Sequence, residues 1–139
     1  MPEKNVVLLG ARDLDPAERR LLDNSAVTLI TPQDVRKHGV SSVLGRVLTA
    51  LQAQRVYLHI DLDVLDPNEV RANHFIVPAG LSLEEVQEVV SFISERLKIV
   101  AAALTAYDPA YDQDGGMLRA ATALMKRLCN LGQPAARAS

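Results

Sequence analysis

The chain has 139 residues, so size alone argues for one domain. With 48% hydrophobic residues, 4% aromatics and no Trp, its core must be built from aliphatic side chains. A net charge of -2 with scattered Lys and Arg leaves no basic footprint for nucleic acid or for a membrane surface.

No run approaches the roughly 20 apolar residues of a membrane span. The opening MPEKNVVLLGARD is too short in its apolar part for a secretory signal. Cytoplasmic residence is therefore expected. The single cysteine, Cys129, excludes an internal disulfide and a Cys-based zinc cluster. It reads as a small buried hydrophobe late in a helix.

Short apolar runs alternate with amphipathic stretches, which is the pattern of α/β architecture. Strands are expected at 5–10, 26–31, 56–61 and 99–107. The run Val56-Tyr-Leu-His-Ile60 is bulky and nearly continuous, as for a central strand covered on both faces. Asp15-Pro16 opens a helix to about Leu22, with an N-cap acid and an N1 proline. A second is expected from Ser41 to Gln54, with Val43, Leu44, Val47, Leu48 and Leu51 on one stripe. Ser82 to Glu85 forms a capping-box pattern ahead of Val86, Val89, Val90, Ile93 and Leu97. The last helix is expected from Gly116 to Leu131. The order is β-α-β-α-β-α-β-α, giving a modest parallel sheet of four strands with exposed edges. The domain is expected to span 1–131, with a flexible tail at 132–139.

The segment Tyr57-Leu-His-Ile-Asp-Leu-Asp-Val-Leu-Asp-Pro67 carries most of the chemistry. Asp61 and Asp63 end an apolar strand, and alternate strand residues share a face, so both carboxylates can converge. Ligands of parallel sheets bind at that end of the strands. Two bare carboxylates there repel and desolvate each other unless a cation neutralises them. A hard or borderline divalent ion is the simplest partner. The bland alternative is a solvated turn punctuated by Asp66-Pro67. A haloacid dehalogenase-type phosphatase also places Asp-x-Asp after a strand. It wants a small Thr or Val where Leu65 stands, and its downstream Lys and acidic pair are not found here.

These residues resemble the ureohydrolase family, the manganese hydrolases that include arginase, agmatinase and formiminoglutamase. The family carries Ser/Thr-apolar-Asp-apolar-Asp, three residues, then Pro. His59-Ile-Asp-Leu-Asp-Val-Leu-Asp-Pro67 fits except at His59, and Ala72 and Gly80 continue the signature, with Arg71 where a proline is expected. Val6-Val-Leu-Leu-Gly-Ala-Arg-Asp-Leu-Asp-Pro16 resembles the family's strand and Gly-x-Arg-Asp turn, and Thr31 to Gly39 the following connection into a helix. Tyr107-Asp-Pro-Ala-Tyr-Asp112 resembles its late Asn-Pro-x-x-Asp.

The resemblance implies an α/β/α three-layer fold with a mainly parallel sheet, of which this chain is about the C-terminal half. It implies two Mn²⁺ ions in the intact family, with Asp61 and Asp63 as ligands, and a small guanidino or amidine substrate hydrolysed by metal-activated water. Asp66 is expected as a turn and an outer acceptor. His59 reads chiefly as a packed core histidine bonded to backbone, and less as a weak ligand. His74 could reach the site's mouth from its loop, and His38 reads as a helix C-terminal residue. The family's earlier His and its Asp-Ala-His-x-Asp segment have no counterpart among His38, His59 and His74. Ala106 stands where the family has the Glu that grips the guanidinium. The loop from Asn73 to Pro78 is also more apolar than the Gly/Thr/Pro loop usual there. The chain alone is thus expected to be inactive, pairing with an N-terminal half chain or with itself. The alternative is a non-catalytic assembly domain derived from the family.

Overall fold

A computed structural model describes residues 1–130 apart from Gln52. Leu131, and the tail expected at 132–139, lie outside the described residues. Strand β1 (Val7–Leu9) is followed by α1 (Pro16–Asp23), β2 (Thr28–Ile30), α2 (Pro32–His38), α3 (Val40–Leu51), β3 (Arg55–Asp61), α4 (Leu83–Ser94), β4 (Lys98–Thr105) and α5 (Gly116–Asn130). The class is the expected α/β with parallel strands. No helix among the described residues is long and apolar enough to cross a membrane.

Local sequence fixes three helix starts in the same way. Asp15, Thr31 and Ser82 each accept a backbone N–H at N3, while Glu18, Asp34 and Glu85 reach back to the cap's own N–H. Such a cap stabilises a helix by about 0.5–2 kcal/mol. The second box starts α2, a helix where the sequence suggests only a connection. Seven residues are too few to display an apolar period. His38 does close that helix, beside Arg36 and Lys37, with Gly39 beyond it at φ 78°.

The four strands do not form one hydrogen-bonded sheet. Among the described residues β1 pairs with β2 and β3 pairs with β4, both parallel, as two separate ladders. One parallel bridge, Leu65 to Leu81, ties the segment after β3 to the start of α4. The core is aliphatic, with Leu44, Leu62, Leu65, Leu81, Val90, Met117 and Leu124 almost wholly enclosed.

β3 is covered on one face only, which corrects the expectation of a two-sided central strand. Val56, Leu58 and Ile60 face the core, while Arg55, Tyr57, His59 and Asp61 are exposed. Tyr57 keeps 57% of its surface in solvent. The apolar run was real, but alternation divides it between core and an open face. Cys129 is also exposed, not buried, because it falls on the outer side of the last turn of α5.

Candidate metal centre

Two leucines determine how the acids are presented. Asp61 ends β3, and the chain then makes a 3-10 turn through Leu62, Asp63 and Val64. Leu62 and Leu65 are buried, pulling the turn onto the core, while Asp61 stays exposed and Asp63 partly so. Next, Asp66 accepts the N–H and side-chain amide of Asn68, both at 2.8 Å, forming the expected turn. The Asn68 N–H is the main cause holding the Asp66 carboxyl below its ordinary value.

The side chains of Asp61 and Asp63 come together. Partial burial, and then the negative charge of Asp63, push the Asp61 carboxyl above the usual carboxylate range. The Asp63 backbone N–H and nearby His59 oppose this without reversing it. The ion pairs among the described residues are Arg19–Asp23 and Arg96–Glu95, so no basic side chain neutralises either acid. Convergent, uncompensated oxygen donors suit a divalent cation of the manganese type. They are two donors only. Among the described residues no group of three His, Cys, Asp or Glu comes together to enclose an ion.

One histidine sits differently from expectation. His59 is not packed in the core: it lies on the open face, with Nε2 2.9 Å from the Thr105 hydroxyl and Nδ1 3.4 Å from that of Tyr57. A hydroxyl-bonded surface histidine follows from its sharing the outward face with Tyr57 and Asp61. His74 is exposed and stacks on Phe75, ring centroids 4.0 Å apart, with Tyr111 at 6.1 Å. Phe75 and Ile76 are exposed on the same loop, and the Arg71 guanidinium covers the Tyr111 ring at 4.7 Å.

Two residues that shape the site were not singled out from sequence. Asn73, buried, donates its side-chain amide to the Ala106 carbonyl at 3.1 Å and lies 3.4 Å from the Asp63 carboxylate. It thereby joins the acidic turn to the segment after β4, where Ala106 takes φ 64°. Arg12, beyond β1, donates to the carbonyls of Asp63 at 2.8 Å and Val77 at 2.8 and 3.1 Å. The only sequence signal for Arg12 was its place in a Gly-x-Arg-Asp turn.

Parallel strands, flanking helices and an acidic pair beyond a strand's carboxyl end define an α/β protein built around a candidate cation site. The sequence pattern of the Arginase family matches residues 1–130, and the chain belongs to that family. It is 31% identical over 113 residues to an arginase of Brucella melitensis, covering 80% of this chain and 37% of that protein. The fold superposes on the Bacillus subtilis arginase structure with a TM-score of 0.84 and 29% identity, covering 96% of this chain and 46% of the other. A formimidoylglutamase structure from Bacillus subtilis gives 0.86 at 22% identity, over 94% and 42%, a likeness of fold. The chain thus spans less than half the length of the relatives it matches.

Proposed function

We propose that this chain supplies one half of a binuclear manganese centre that hydrolyses a C–N bond of a small guanidino or linear amidine compound, and that it is inactive alone. The observation carrying this reading is the Asp61–Asp63 pair, convergent and without a neutralising cation. Bound there, Mn²⁺ would act as a Lewis acid and activate water for attack at the amidine carbon. In that hydrolysis a C–O bond forms, the C–N bond breaks and the leaving amine takes the proton. The chain's own residues hold and orient: Asp61 and Asp63 supply oxygen donors, and Asn73 fixes the Asp63 side. Asp66 serves the turn, and His59 and His74 lie outside any ligand cluster among the described residues. Ala106 offers no carboxylate to a guanidinium, so substrate charge must be met from elsewhere.

The remaining ligands would come from an N-terminal half, encoded with this chain or separately, or from a second copy. The bare side of β3, with Tyr57 and His59 outward, supports such a covering partner. We place the protein in the cytoplasm, where an exposed unpaired Cys129 stays reduced.

Mn²⁺ titration of the wild type against Asp61→Ala/Asp63→Ala tests the metal reading: weak binding lost in the double variant is expected. Equal, negligible binding by both removes it. Urea release by the purified chain with Mn²⁺ would overturn its inactivity alone. Sedimentation across micromolar concentrations should show self-association or a complex with an N-terminal half, and a strict monomer in both settings removes the partner reading.

A further inference from the structure

The acidic turn is held from outside by an arginine that touches neither carboxylate. Arg12 follows the Gly10-Ala11 turn at the end of β1, 51 residues before Asp63 and 65 before Val77. One guanidinium nitrogen donates to the Asp63 carbonyl at 2.8 Å and to that of Val77 at 2.8 Å, with the Leu65 carbonyl at 3.5 Å. Its Nε donates to Val77 as well, at 3.1 Å. The planar fork therefore joins the turn bearing the acids to the returning strap at 77–81. Arg36, on α2, grips the far end of that strap through the Ala79 and Gly80 carbonyls. All these contacts are to backbone, so both arginines fix position without satisfying an acid.

We infer that Arg12 is the positioning residue of the metal site: it sets the direction in which Asp63 projects, and so the convergence of the Asp61–Asp63 pair. The inference rests on the metal reading only for its functional meaning, because the geometry it describes exists without the ion. Lysine keeps the charge and three donors, but it loses the Nε contact to Val77 and the fixed planar geometry, so it holds the clamp less firmly. Alanine removes the clamp.

The test uses the full chain, with Arg12→Lys, Arg12→Ala and a distant core control, Val89→Ala on α4. The signals followed are Asp61 and Asp63 carboxyl ¹³C resonances, amide exchange at residues 63–66 and in α4 and α5, and Mn²⁺ affinity. Arg12→Ala is expected to move both carboxyl resonances and to speed exchange at 63–66 at least tenfold, with α4 and α5 protected as in wild type. Mn²⁺ binding should weaken about tenfold or more, with Arg12→Lys in between. Val89→Ala should loosen the helices and leave the carboxyl resonances in place. If Arg12→Ala does not fold, the same signals in Arg12→Lys decide. Unchanged carboxyl resonances in the folded Arg12 variants overturn the inference, whatever happens to Mn²⁺. If wild type binds no Mn²⁺ yet the resonances move as expected, the metal reading fails and the positioning role stands.

Discussion

Asp112 offers the sharpest check on how the site's surroundings are held. It is a buried acid, 9% exposed, whose two oxygens accept the N–H of Met117 and of Leu118, each at 2.8 Å, and the Tyr107 hydroxyl at 3.0 Å. It thus caps α5 and anchors the segment after β4. Replacement by Ala removes all three acceptor contacts. Leu118 and Tyr107 are exposed enough to recruit water, but Met117 is fully enclosed and its N–H would be left unpaired. An orphaned buried donor costs about 1–3 kcal/mol and a lost helix cap about 0.5–2 kcal/mol. The two overlap, so Asp112→Ala should lose about 2–4 kcal/mol, or roughly 6–12 °C in melting temperature for a chain of this size. Asp112→Asn, which keeps one acceptor, should lose about half of that. Burial alone would raise this carboxyl's pKa, but the N–H donors of Met117 and Leu118, with Tyr107 and Arg119, outweigh it and hold it below the ordinary value. A depressed folded pKa stabilises the fold above the unfolded value of about 3.9, and that contribution disappears as pH falls through the lower, folded value. Urea denaturation of wild type and Asp112→Asn at a series of pH values measures this. The gap between them should close below about pH 4. A gap that is absent at pH 7, or constant through acid pH, would refute the reasoning.

Asp61 should behave in the opposite sense. Its raised carboxyl pKa, caused first by burial and then by Asp63, works against the metal-free fold once pH exceeds the unfolded value of about 3.9. Asp61→Asn is therefore expected to raise the metal-free melting temperature at pH 7 and leave it unchanged near about pH 3. Scanning calorimetry showing a loss at pH 7 would contradict this. Gly80→Ala should destabilise by about 1–3 kcal/mol, since an added Cβ would lie 2.7 Å from the Leu65 carbonyl and the Asp66 nitrogen, both backbone atoms that must shift. Wild-type stability in urea would show that the Leu65–Leu81 bridge is looser than its contacts indicate.

What could be read from sequence divides along physical lines. The pair Asp61 and Asp63 was legible because i and i+2 on a strand share a face, a rule needing no tertiary knowledge. The caps at Asp15 and Ser82 were legible for the same reason: their partners lie three residues away. Arg12 was not, since its acceptors are backbone carbonyls far along the chain, and beside Asp13 it looks like an ordinary neutralised surface charge. Strand neighbours were equally hidden. Alternation tells which residues face the core, but nothing in it distinguishes one four-stranded ladder from two pairs. His59 was misplaced because an apolar run suggests cover on both sides, and the open face of β3 appears only when the chain is folded.

The charge arrangement also bears on whether the site is vestigial. A solvated acidic turn would let its carboxylates separate, yet Leu62 and Leu65 bury the turn and keep the two acids close. Arg12, whose hydrogen bonds reach this turn, directs its donors to carbonyls and leaves the acids unpaired. The backbone is thereby stabilised while the electrostatic cost of the pair remains. On the function proposed above, a cation bound between this chain and a covering partner would supply the positive charge that offsets it. A domain serving assembly alone gains nothing from that cost, and replacing either acid by its amide would relieve it.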